Sequence, residues 1–357
     1  MNLTRRTLLG GVAASVAAPR IGRAQGLTKV KITLPWLAQG ATAFVFIAKA
    51  LGVYEKHGLD VEISRGYGSL AAAQAIAQKQ FDFGIVSAGP MILASTRGIP
   101  LAGLATVNYD TTMGVLVRKD SPIKEPKDLA GKKIGSVITS AEYPFFPAYA
   151  QRAGFDAAKV NIIQMDNRIL ERSLIDGQVD AITGLGASSI PLILAQKVQT
   201  RFFSYSKAGI ALYSNVVCTR LDVLKQQPDL CASVTAALLE AMAFQLSEPE
   251  KSLDLLIQEV PELGVTANGR ESAALSQGLL QWTVIAPEAV EHGLGWSDAE
   301  RWKSTVDLTM EYAVPAGAVR PPVDGIGDNR FVGKQKLSPD EWTKLKIRLA
   351  PYGDMLA

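Results

Sequence analysis

The chain has 357 residues, of which 48% are hydrophobic and 20% are charged, a composition typical of a folded globular protein of about two domains. This balance excludes a largely disordered or collagen-like chain. Lys and Arg number 37 against 34 Asp and Glu, and four of the arginines lie in the first 24 residues, which contain no acid. The rest of the chain is therefore close to neutral and offers no broad basic surface, so we expect no nucleic-acid partner.

Histidine and cysteine are too scarce for the common metal sites. The chain has two histidines, His57 and His292, and two cysteines, Cys218 and Cys231. Zinc sites and iron–sulfur clusters need several such ligands, so we expect no metal and no cofactor. Neither histidine has a nucleophile beside it in the sequence, and we interpret both as surface residues. The cysteines would suit a disulfide in an exported protein, and two buried free thiols are the alternative.

The first 24 residues have the pattern of an export signal. Arg5 and Arg6 precede an uncharged apolar run over 8–18, and residues 22–24 resemble a cleavage site. The run is shorter than the roughly 20 residues that a membrane-spanning helix needs, and no cysteine follows it for a lipid anchor. The paired arginines resemble a twin-arginine signal, with an ordinary secretory signal as the alternative. We predict a soluble periplasmic protein whose mature chain begins near Gln25.

The first third of the chain alternates extended and helical segments. In chain order the predicted elements are strand 29–36, helix 42–57, strand 60–64, helix 70–79, strand 81–87, helix 90–97 and strand 101–107. Alternation of this kind is typical of crossover units in a mainly parallel sheet. The sequence therefore predicts the α/β class.

A partial repeat indicates a second lobe. Residues 79–85 recur in similar form over 177–183, each time between two predicted helices. The stretch between the copies adds strands 132–137 and 160–165 and helices 143–154 and 169–177, and the pattern after Pro228 is mostly helical, with a last helix near 339–348. β-rich runs over 113–118 and 212–219 predict two crossings that form a hinge of paired strands. The predicted organisation is an export signal over 1–24, lobe 1 over 25–115 and 217–332, lobe 2 over 116–216, and a tail with a helix over 333–357.

Two short motifs resemble enzyme or cofactor signatures and fail on inspection. Residues 66–71 fit G-x-G-x-x-A, but no acid stands at the end of the next strand, as dinucleotide binding requires. We interpret this turn as one whose backbone N–H groups face a small ligand. The sequence around Ser87 lacks the first glycine of G-x-S-x-G. The residues therefore give no catalytic constellation.

Polar and aromatic side chains follow the predicted strands, where open α/β sheets bind ligands. A single aromatic residue at such a place is more often part of the core, but several that converge on one cleft favour a binding site. The candidate ligand-binding residues are Trp36, Gln39, Phe44, Tyr67, Gly68, Ser69, Ser87, Asn108 and Tyr109 in lobe 1 and Thr139, Ser140, Glu142, Tyr143, Asp166, Gly186 and Ser188 in lobe 2, with Asn167 and Gly184 beside them.

Four stretches carry a family resemblance over roughly residues 28–330. They are Ala48-x-x-x-Gly52-x-Tyr54-x-x-x-Gly58-Leu59-Asp60-Val61, Gln80-x-Asp82-Phe83-Gly84, Lys127-Asp128-Leu129-x-Gly131-Lys132-Lys133-Ile134-Gly135 and Gly177-x-Val179-Asp180-Ala181. The chain resembles the solute-binding proteins of ABC importers, in the group of nitrate, sulfonate, taurine and thiamine-pyrimidine-precursor binders. The resemblance implies two α/β lobes in the type II periplasmic-binding arrangement, joined by a two-strand hinge. It also implies a monomer that closes on a small molecule and presents it to a membrane permease.

One branch of this superfamily is enzymatic. The fungal pyrimidine synthases resemble these binders but use an active-site histidine and a cysteine-rich iron motif. In this chain Thr42 stands where that histidine would be, and there is no cysteine cluster. The resemblance therefore implies a binding protein and no enzyme, with a synthase-like enzyme as an alternative.

The ligand class can be narrowed only slightly from the sequence. The basic residues of lobe 2 lie mostly over 118–133 and on helices, away from the predicted cleft. With Glu142, Asp166 and several aromatic residues near the cleft, we expect an uncharged or amine-bearing planar ligand stacked on Trp36 or on tyrosines. A sulfonate or carboxylate held by backbone N–H and hydroxyl groups is the alternative.

Overall fold

The computed structural model describes residues 26–98, 100–321 and 326–356, so the predicted export signal over 1–24 lies outside the described residues. Within these ranges ten strands form two five-stranded sheets. The strands are β1 Thr28–Thr33, β2 Leu59–Ser64, β3 Phe83–Ser87, β4 Leu101–Thr106, β5 Met113–Arg118, β6 Lys133–Ser136, β7 Asn161–Gln164, β8 Ala181–Leu185, β9 Thr200–Ser204 and β10 Asn215–Arg220.

Helices cover both sheets and dominate the last third of the chain. A 3₁₀ helix over Gly40–Thr42 precedes the first α-helix. The α-helices of the described ranges are α1 Ala43–Ala50, α2 Val53–Lys56, α3 Ser69–Ala77, α4 Ala88–Ser95, α5 Phe146–Arg152, α6 Leu170–Ile175, α7 Gly186–Ala195, α8 Leu221–Gln226, α9 Pro228–Ser247, α10 Pro249–Glu259, α11 Glu262–Val265, α12 Gly269–Val284, α13 Pro287–His292, α14 Ala299–Tyr312 and α15 Pro339–Met355.

The two sheets have the same topology. The strand orders are β2-β1-β3-β10-β4 and β7-β6-β8-β5-β9. In each sheet four strands run in one direction and one strand, β10 or β5, is reversed. The α/β class with mainly parallel sheets is thus confirmed. We call the first sheet with its helices lobe 1 and the second lobe 2.

The sequence repeat has a structural cause. Each copy leads into the third strand of its sheet, β3 or β8. The aspartate of each copy accepts a hydrogen bond from a backbone N–H of the neighbouring strand: Asp82 from Lys31 at 2.9 Å and Asp180 from Lys133 at 2.8 Å. A carboxylate at this point satisfies a backbone donor where the ladder begins, so both sheets use the same residue.

The hinge differs in detail from the predicted pair of strands. β5 lies in the sheet of lobe 2 and β10 in the sheet of lobe 1, so each completes its own ladder and the two do not pair with each other. The chain crosses between the lobes over 107–112 and 205–214, a few residues before the predicted boundaries. The crossings do run side by side, because Ser214 N–H donates to the Asn108 carbonyl at 3.1 Å.

Lobe 1 contains the longest helix of the described ranges, α9. By length and composition α9 could span a membrane, but 56% of its apolar window is buried inside the structure, as in a core helix. Cys231 on α9 and Cys218 on β10 are both free and buried. Of the two alternatives for these cysteines, the structure shows the buried thiols, and burial raises the pKa of both.

The late helices do not belong to lobe 1 alone. α12 places Ala273 and Leu280 in the core of lobe 1, whereas Leu279 lies in a hydrophobic cluster of lobe 2. α15, in the predicted tail, packs on α12, and Leu356 after it joins the same lobe 2 cluster. The C-terminal third therefore contacts both lobes.

Candidate functional site

A narrow cavity lies between the lobes. Its volume, measured as the space open to the centre of a water-sized sphere, is about 40 Å³. The lobes are therefore closed on each other. The lining residues are Pro35, Trp36, Gln39, Ala41, Thr42, Ser69, Asn108, Thr112, Ser140, Ala141, Glu142, Leu170, Gly184, Leu185, Ala187, Ser188, Ser189, Ser214, Asn215 and Leu280.

Seven of the sixteen predicted site residues line this cavity. They come together because the carboxyl ends of the parallel strands in both sheets face the gap between the lobes. The seven are Trp36, Gln39, Ser69, Asn108, Ser140, Glu142 and Ser188. Gln39 and Ser188 also meet directly across the gap, with Gln39 Nε2 donating to Ser188 Oγ at 2.8 Å.

Three further candidates lie just outside the cavity. The Ser87 hydroxyl is buried behind Ser69 and donates to Asn215 Oδ1 at 2.9 Å. Gly68 and Thr139 bring the two lobes into contact. A Cβ on Gly68 would lie 2.2 Å from the Thr139 carbonyl oxygen, and φ of Gly68 is +114°, so only glycine permits this approach.

Two predicted aromatic residues belong to the core of lobe 1. Phe44 on α1 is 1% exposed and Tyr109 is 0% exposed, and both pack in the hydrophobic cluster of this lobe. α1 turns Phe44 away from the cavity, and Tyr109 packs edge-on against Tyr213 with ring centroids 6.1 Å apart. Trp36 is thus the predicted aromatic residue that the structure places at the cavity.

The remaining four candidates lie at the edges. Tyr67 is exposed, with the Arg65 guanidinium 4.6 Å from its ring centre, and Tyr143 is half-buried. Asp166 is exposed and paired with Arg168, which lowers the pKa of Asp166. Gly186 packs under Leu356 rather than against the gap.

Gly184, named beside the candidates, also lines the cavity, and the other lining residues were not predicted as ligand contacts. Ala187 and Ser189 adjoin the predicted Ser188. The sequence could have indicated them as well, because they lie where a helix begins after a strand. Thr112, Ser214 and Asn215 lie on or beside the crossings, and the sequence marks these segments only as a hinge. Leu280 comes from α12, far along the chain, and no local pattern points to it.

Three buried polar atoms on lining residues have no hydrogen-bond partner among the described residues. They are Trp36 Nε1, Asn108 Oδ1 and Glu142 Oε2. The second polar atom of the asparagine and of the glutamate is already paired: Asn108 Nδ2 donates to Thr283 Oγ1 at 2.6 Å, and Glu142 Oε1 accepts from the Ser140 and Thr183 hydroxyls. Buried polar atoms normally have partners, so one donor and two acceptors are available to a ligand.

The electrostatics of the cavity are dominated by acids in lobe 2. Glu142 is buried, and burial raises its pKa against the opposing hydroxyl hydrogen bonds. Glu171 lies behind the wall, accepts from the Ser189 hydroxyl at 2.7 Å, and has a pKa raised by burial and further by Glu142. Among the described lining residues there is no Lys, Arg or His. The lobe 2 wall of the cavity thus favours a ligand group that donates a hydrogen bond or carries a positive charge.

The helix N-termini at the cavity favour ligand groups of the opposite charge to those favoured by the acids. α3 begins at Ser69, and Ala187, Ser188 and Ser189 form the first turn of α7, all at the cavity. Backbone N–H groups at a helix start favour acceptors and anions. Within the parts of the chain that the structure describes, no cluster of three or more His, Cys, Asp or Glu has the arrangement of a metal site.

Solved structures with this architecture include periplasmic binding proteins. The alkanesulfonate-binding protein SsuA of Xanthomonas axonopodis pv. citri, bound to MOPS, superposes with a TM-score of 0.65 at 16% identity, covering 85% of this chain and 99% of that one. The nitrate-binding protein NrtA of Synechocystis PCC 6803 gives 0.58 at 14% identity, covering 93% and 91%. These likenesses confirm the two-lobe periplasmic-binding fold.

Curated relatives are similar over most of their length. The chain is 20% identical over 284 residues to the formylaminopyrimidine-binding protein of Halalkalibacterium halodurans, covering 79% of this chain and 84% of the relative. It is 22% identical over 314 residues to the riboflavin-binding protein RibY of Chloroflexus aurantiacus, covering 87% and 88%. A third relative, at 20% identity over 244 residues covering 66% and 75%, is the 4-amino-5-hydroxymethyl-2-methylpyrimidine phosphate synthase of Legionella pneumophila.

A family model agrees with the resemblance carried by the sequence motifs. The model described as NMT1/THI5 like matches residues 39–252. This span is more than half of the chain and includes most of the cavity-lining residues of both lobes. The chain belongs to the NMT1/THI5-like family.

Proposed function

We propose that the protein is the extracytoplasmic solute-binding component of an ABC importer and has no enzymatic activity. It closes on a small planar, uncharged or amine-bearing molecule and delivers it to a membrane permease. One observation carries the ligand class: the buried carboxyl of Glu142 presents Oε2 in an interlobe cavity where no described lining residue is cationic. A carboxyl group in this setting accepts hydrogen bonds from ligand N–H groups or pairs with an ammonium.

The unpartnered atoms favour an amino-substituted heteroaromatic ring. Glu142 Oε2 in lobe 2 and Asn108 Oδ1 in lobe 1 accept from ligand N–H groups, and Trp36 Nε1 donates to a ring nitrogen or carbonyl. A ligand with donors on two edges and an acceptor between them satisfies all three atoms. Two relatives bear the names of a formylaminopyrimidine and of riboflavin. Both molecules are planar nitrogen heterocycles, and the first is an amino-substituted one. The narrowness of the cavity favours a single ring over a three-ring flavin.

A sulfonate or carboxylate ligand is the second candidate. The helix starts of α3 and α7 at the cavity favour it, because their N–H groups cradle anions. The ionised form of Glu142 opposes it by charge repulsion. Competition between these ligand classes is therefore the decisive measurement.

A synthase-like activity is the third candidate, because one relative is named as a synthase. Thr42 lines the cavity at the place where the resemblance puts the catalytic histidine of the enzymes. Its hydroxyl donates to the Gln39 carbonyl at 3.2 Å and closes the 3₁₀ turn. A hydroxyl held in this way is no general base, so we expect reversible binding with the ligand recovered unchanged.

Export to the periplasm completes the proposal. The paired arginines and the short apolar run support it, and so does the fold shared with periplasmic binding proteins. Edman sequencing of the native protein from a periplasmic fraction should begin near Gln25. Cytoplasmic protein that retains Met1 would contradict export.

The ligand class is tested by native mass spectrometry of the protein as purified, followed by calorimetric titration. The probes are 4-amino-5-hydroxymethyl-2-methylpyrimidine, riboflavin and ethanesulfonate. We expect the aminopyrimidine to bind tightest. Glu142→Gln should weaken it by about 1.5–3 kcal/mol, since a hydrogen bond to a charged group is lost. Trp36→Ala should weaken it by about 1–3 kcal/mol through lost stacking.

Asp166→Asn is the matched control, because Asp166 is an exposed carboxylate outside the cavity. It should leave the affinity unchanged. Preferential binding of ethanesulfonate, strengthened by Glu142→Gln, would establish the anion alternative. Conversion of the aminopyrimidine by the protein alone would establish the enzyme.

A further inference from the structure

A single buried hydroxyl joins the two walls of the cavity. Ser276 on α12 is 1% exposed. Its Oγ accepts a hydrogen bond from the backbone N–H of Ala41 at 3.1 Å and donates to the carbonyl of Ala187 at 3.0 Å. Ala41 lines the cavity from lobe 1 and Ala187 lines it from lobe 2. Ser276 therefore connects the 3₁₀ helix of one lobe to the start of α7 in the other.

α12 is fixed to lobe 1 on its other contacts. Gln281 Nε2 donates to the Gln245 carbonyl at 2.6 Å, and Gln277 Nε2 donates to the Pro249 carbonyl at 2.9 Å. The helix also lies so close to Gly40 that a Cβ there would be 1.8 Å from the Ala273 carbonyl oxygen. Because backbone meets backbone at this point, we expect α12 and the 3₁₀ helix to move together when the lobes open.

The same helix meets lobe 2 along the length of α7. Asn268 Nδ2, at the start of α12, donates to the Ala195 carbonyl at 2.7 Å, and Glu271 lies 3.3 Å from Lys197 Nζ. Leu279 is fully buried in the hydrophobic cluster of lobe 2. Asn268 and Glu271 contact the end of α7 that is remote from the cavity, whereas Ser276 contacts the first turn of α7, which lines the cavity.

We propose that Ser276 is a positioning residue of the ligand site, whose hydroxyl latches α7 of lobe 2 onto lobe 1 in the closed arrangement. Opening of the lobes breaks the hydrogen bond to Ala187 and leaves the one to Ala41. Ser276→Ala leaves the Ala41 N–H without this partner in both arrangements, whereas it leaves the Ala187 carbonyl without this partner only when the lobes are closed. The substitution therefore shifts the equilibrium toward the open form. The link to ligand binding rests on the proposed function, but the equilibrium itself is measured without ligand.

The test uses pulsed electron–electron distance measurements on the full chain without ligand. Spin labels on Asp60→Cys and Asn161→Cys report the separation of β2 and β7, exposed outer strands of the two sheets. The native cysteines are buried and remain unlabelled. Ser276→Ala should raise the ratio of open to closed molecules by about fivefold to thirtyfold.

Ser272→Ala is the matched control, one turn earlier on α12, where the hydroxyl makes no hydrogen bond to any described residue. It should leave the distances unchanged. Ser276→Cys, which keeps the size of the side chain and a weak donor, should fall between Ser276→Ala and the parent. A thermal melt checks that each variant folds.

Identical distance distributions for Ser276→Ala, Ser276→Cys and the parent would overturn the latch. Failure of the proposed function has a different signature. If the distances shift as expected but neither the aminopyrimidine nor ethanesulfonate binds, the latch stands and the solute-binding proposal fails. If the aminopyrimidine binds and the distances do not shift, the solute-binding proposal stands and the latch fails.

Discussion

Two asparagines at the cavity present opposite ends of their amides. The Ser87 hydroxyl donates to Asn215 Oδ1, so the amide nitrogen of Asn215 is the end that Ser87 does not use. The Asn108 amide nitrogen donates to Thr283 Oγ1, so its oxygen is the end available to a ligand. Because an amide carries a donor and an acceptor, the partner on one side fixes which of them the other side offers. Residue type alone therefore does not define the recognition pattern.

Glu142 gives a prediction for stability against pH. Burial raises its pKa above the ordinary value of about 4.5, so the folded protein holds this proton more tightly than the unfolded chain. The free energy of unfolding therefore falls as the pH rises from about 4.5 through the raised pKa. Each unit of pKa elevation lowers it by about 1.4 kcal/mol, and Glu142→Gln abolishes this loss.

Urea unfolding between pH 4.5 and 8 measures the effect as the difference between the parent and Glu142→Gln. The free energy of unfolding of Glu142→Gln should exceed that of the parent by an amount that increases as the pH rises. Glu62→Gln, an exposed substitution on β2, should follow the parent. Parallel curves for the parent and Glu142→Gln would show that the carboxyl titrates normally in the folded state.

α15 packs most of the predicted tail onto lobe 1. Its start is capped by Ser338, whose hydroxyl accepts from the Glu341 N–H at 3.3 Å, while Glu341 accepts from the Ser338 N–H at 2.7 Å. Trp342, Leu345 and Leu349 fall on one face of the helix and are buried in the core of lobe 1. The helix continues past the predicted end at 348 because its last turn packs on α12.

Trp342→Ala should lower the free energy of unfolding by about 3–5 kcal/mol, since a large buried side chain leaves a cavity. Ile347→Ala on the same helix should change it by less than about 0.5 kcal/mol, because Ile347 is 73% exposed. Urea unfolding followed by tryptophan fluorescence and by circular dichroism gives both values. Similar small effects for the two variants would mean that α15 is not docked on lobe 1 in solution.

The connection between the lobes is held by one cation of lobe 1. Arg301 on α14 donates to the Tyr109 carbonyl and to Asp110 on the first crossing. Its guanidinium lies 4.5 Å from the ring centre of Tyr213 on the second crossing and pairs with Glu288 at 2.9 Å. Both crossings are therefore tied to the same side chain, which restrains the direction in which the lobes separate.

Arg301→Gln should broaden the distance distribution between labels at Asp60 and Asn161, because the two crossings lose their common anchor. It should also lower the free energy of unfolding by about 1–3 kcal/mol, since Glu288 and the Tyr109 carbonyl lose a charged donor. Lys303→Gln on the same helix removes an exposed pair with Asp307 and should change neither quantity measurably. An unchanged distribution for Arg301→Gln would show that the crossings are rigid without it.

The local pattern of the sequence was enough for the elements and their class. Apolar periodicity and glycine turns predicted each strand of the first half of the chain to within a few residues, because these signals act over a single element. The repeat around Asp82 and Asp180 predicted a second lobe, since each aspartate serves the same position of a like sheet.

Tertiary structure alone decided which residues meet at the cavity. Phe44 and Trp36 both follow the first strand, yet Phe44 is buried in the core and Trp36 lines the cavity. The reason is that the packing of α1 on the sheet fixes which side of the chain faces the opposite lobe. Leu280 and Ser276 reach the site from α12, after most of the chain has intervened. Contacts between residues so far apart depend on how the elements pack in three dimensions, and no local periodicity encodes that packing.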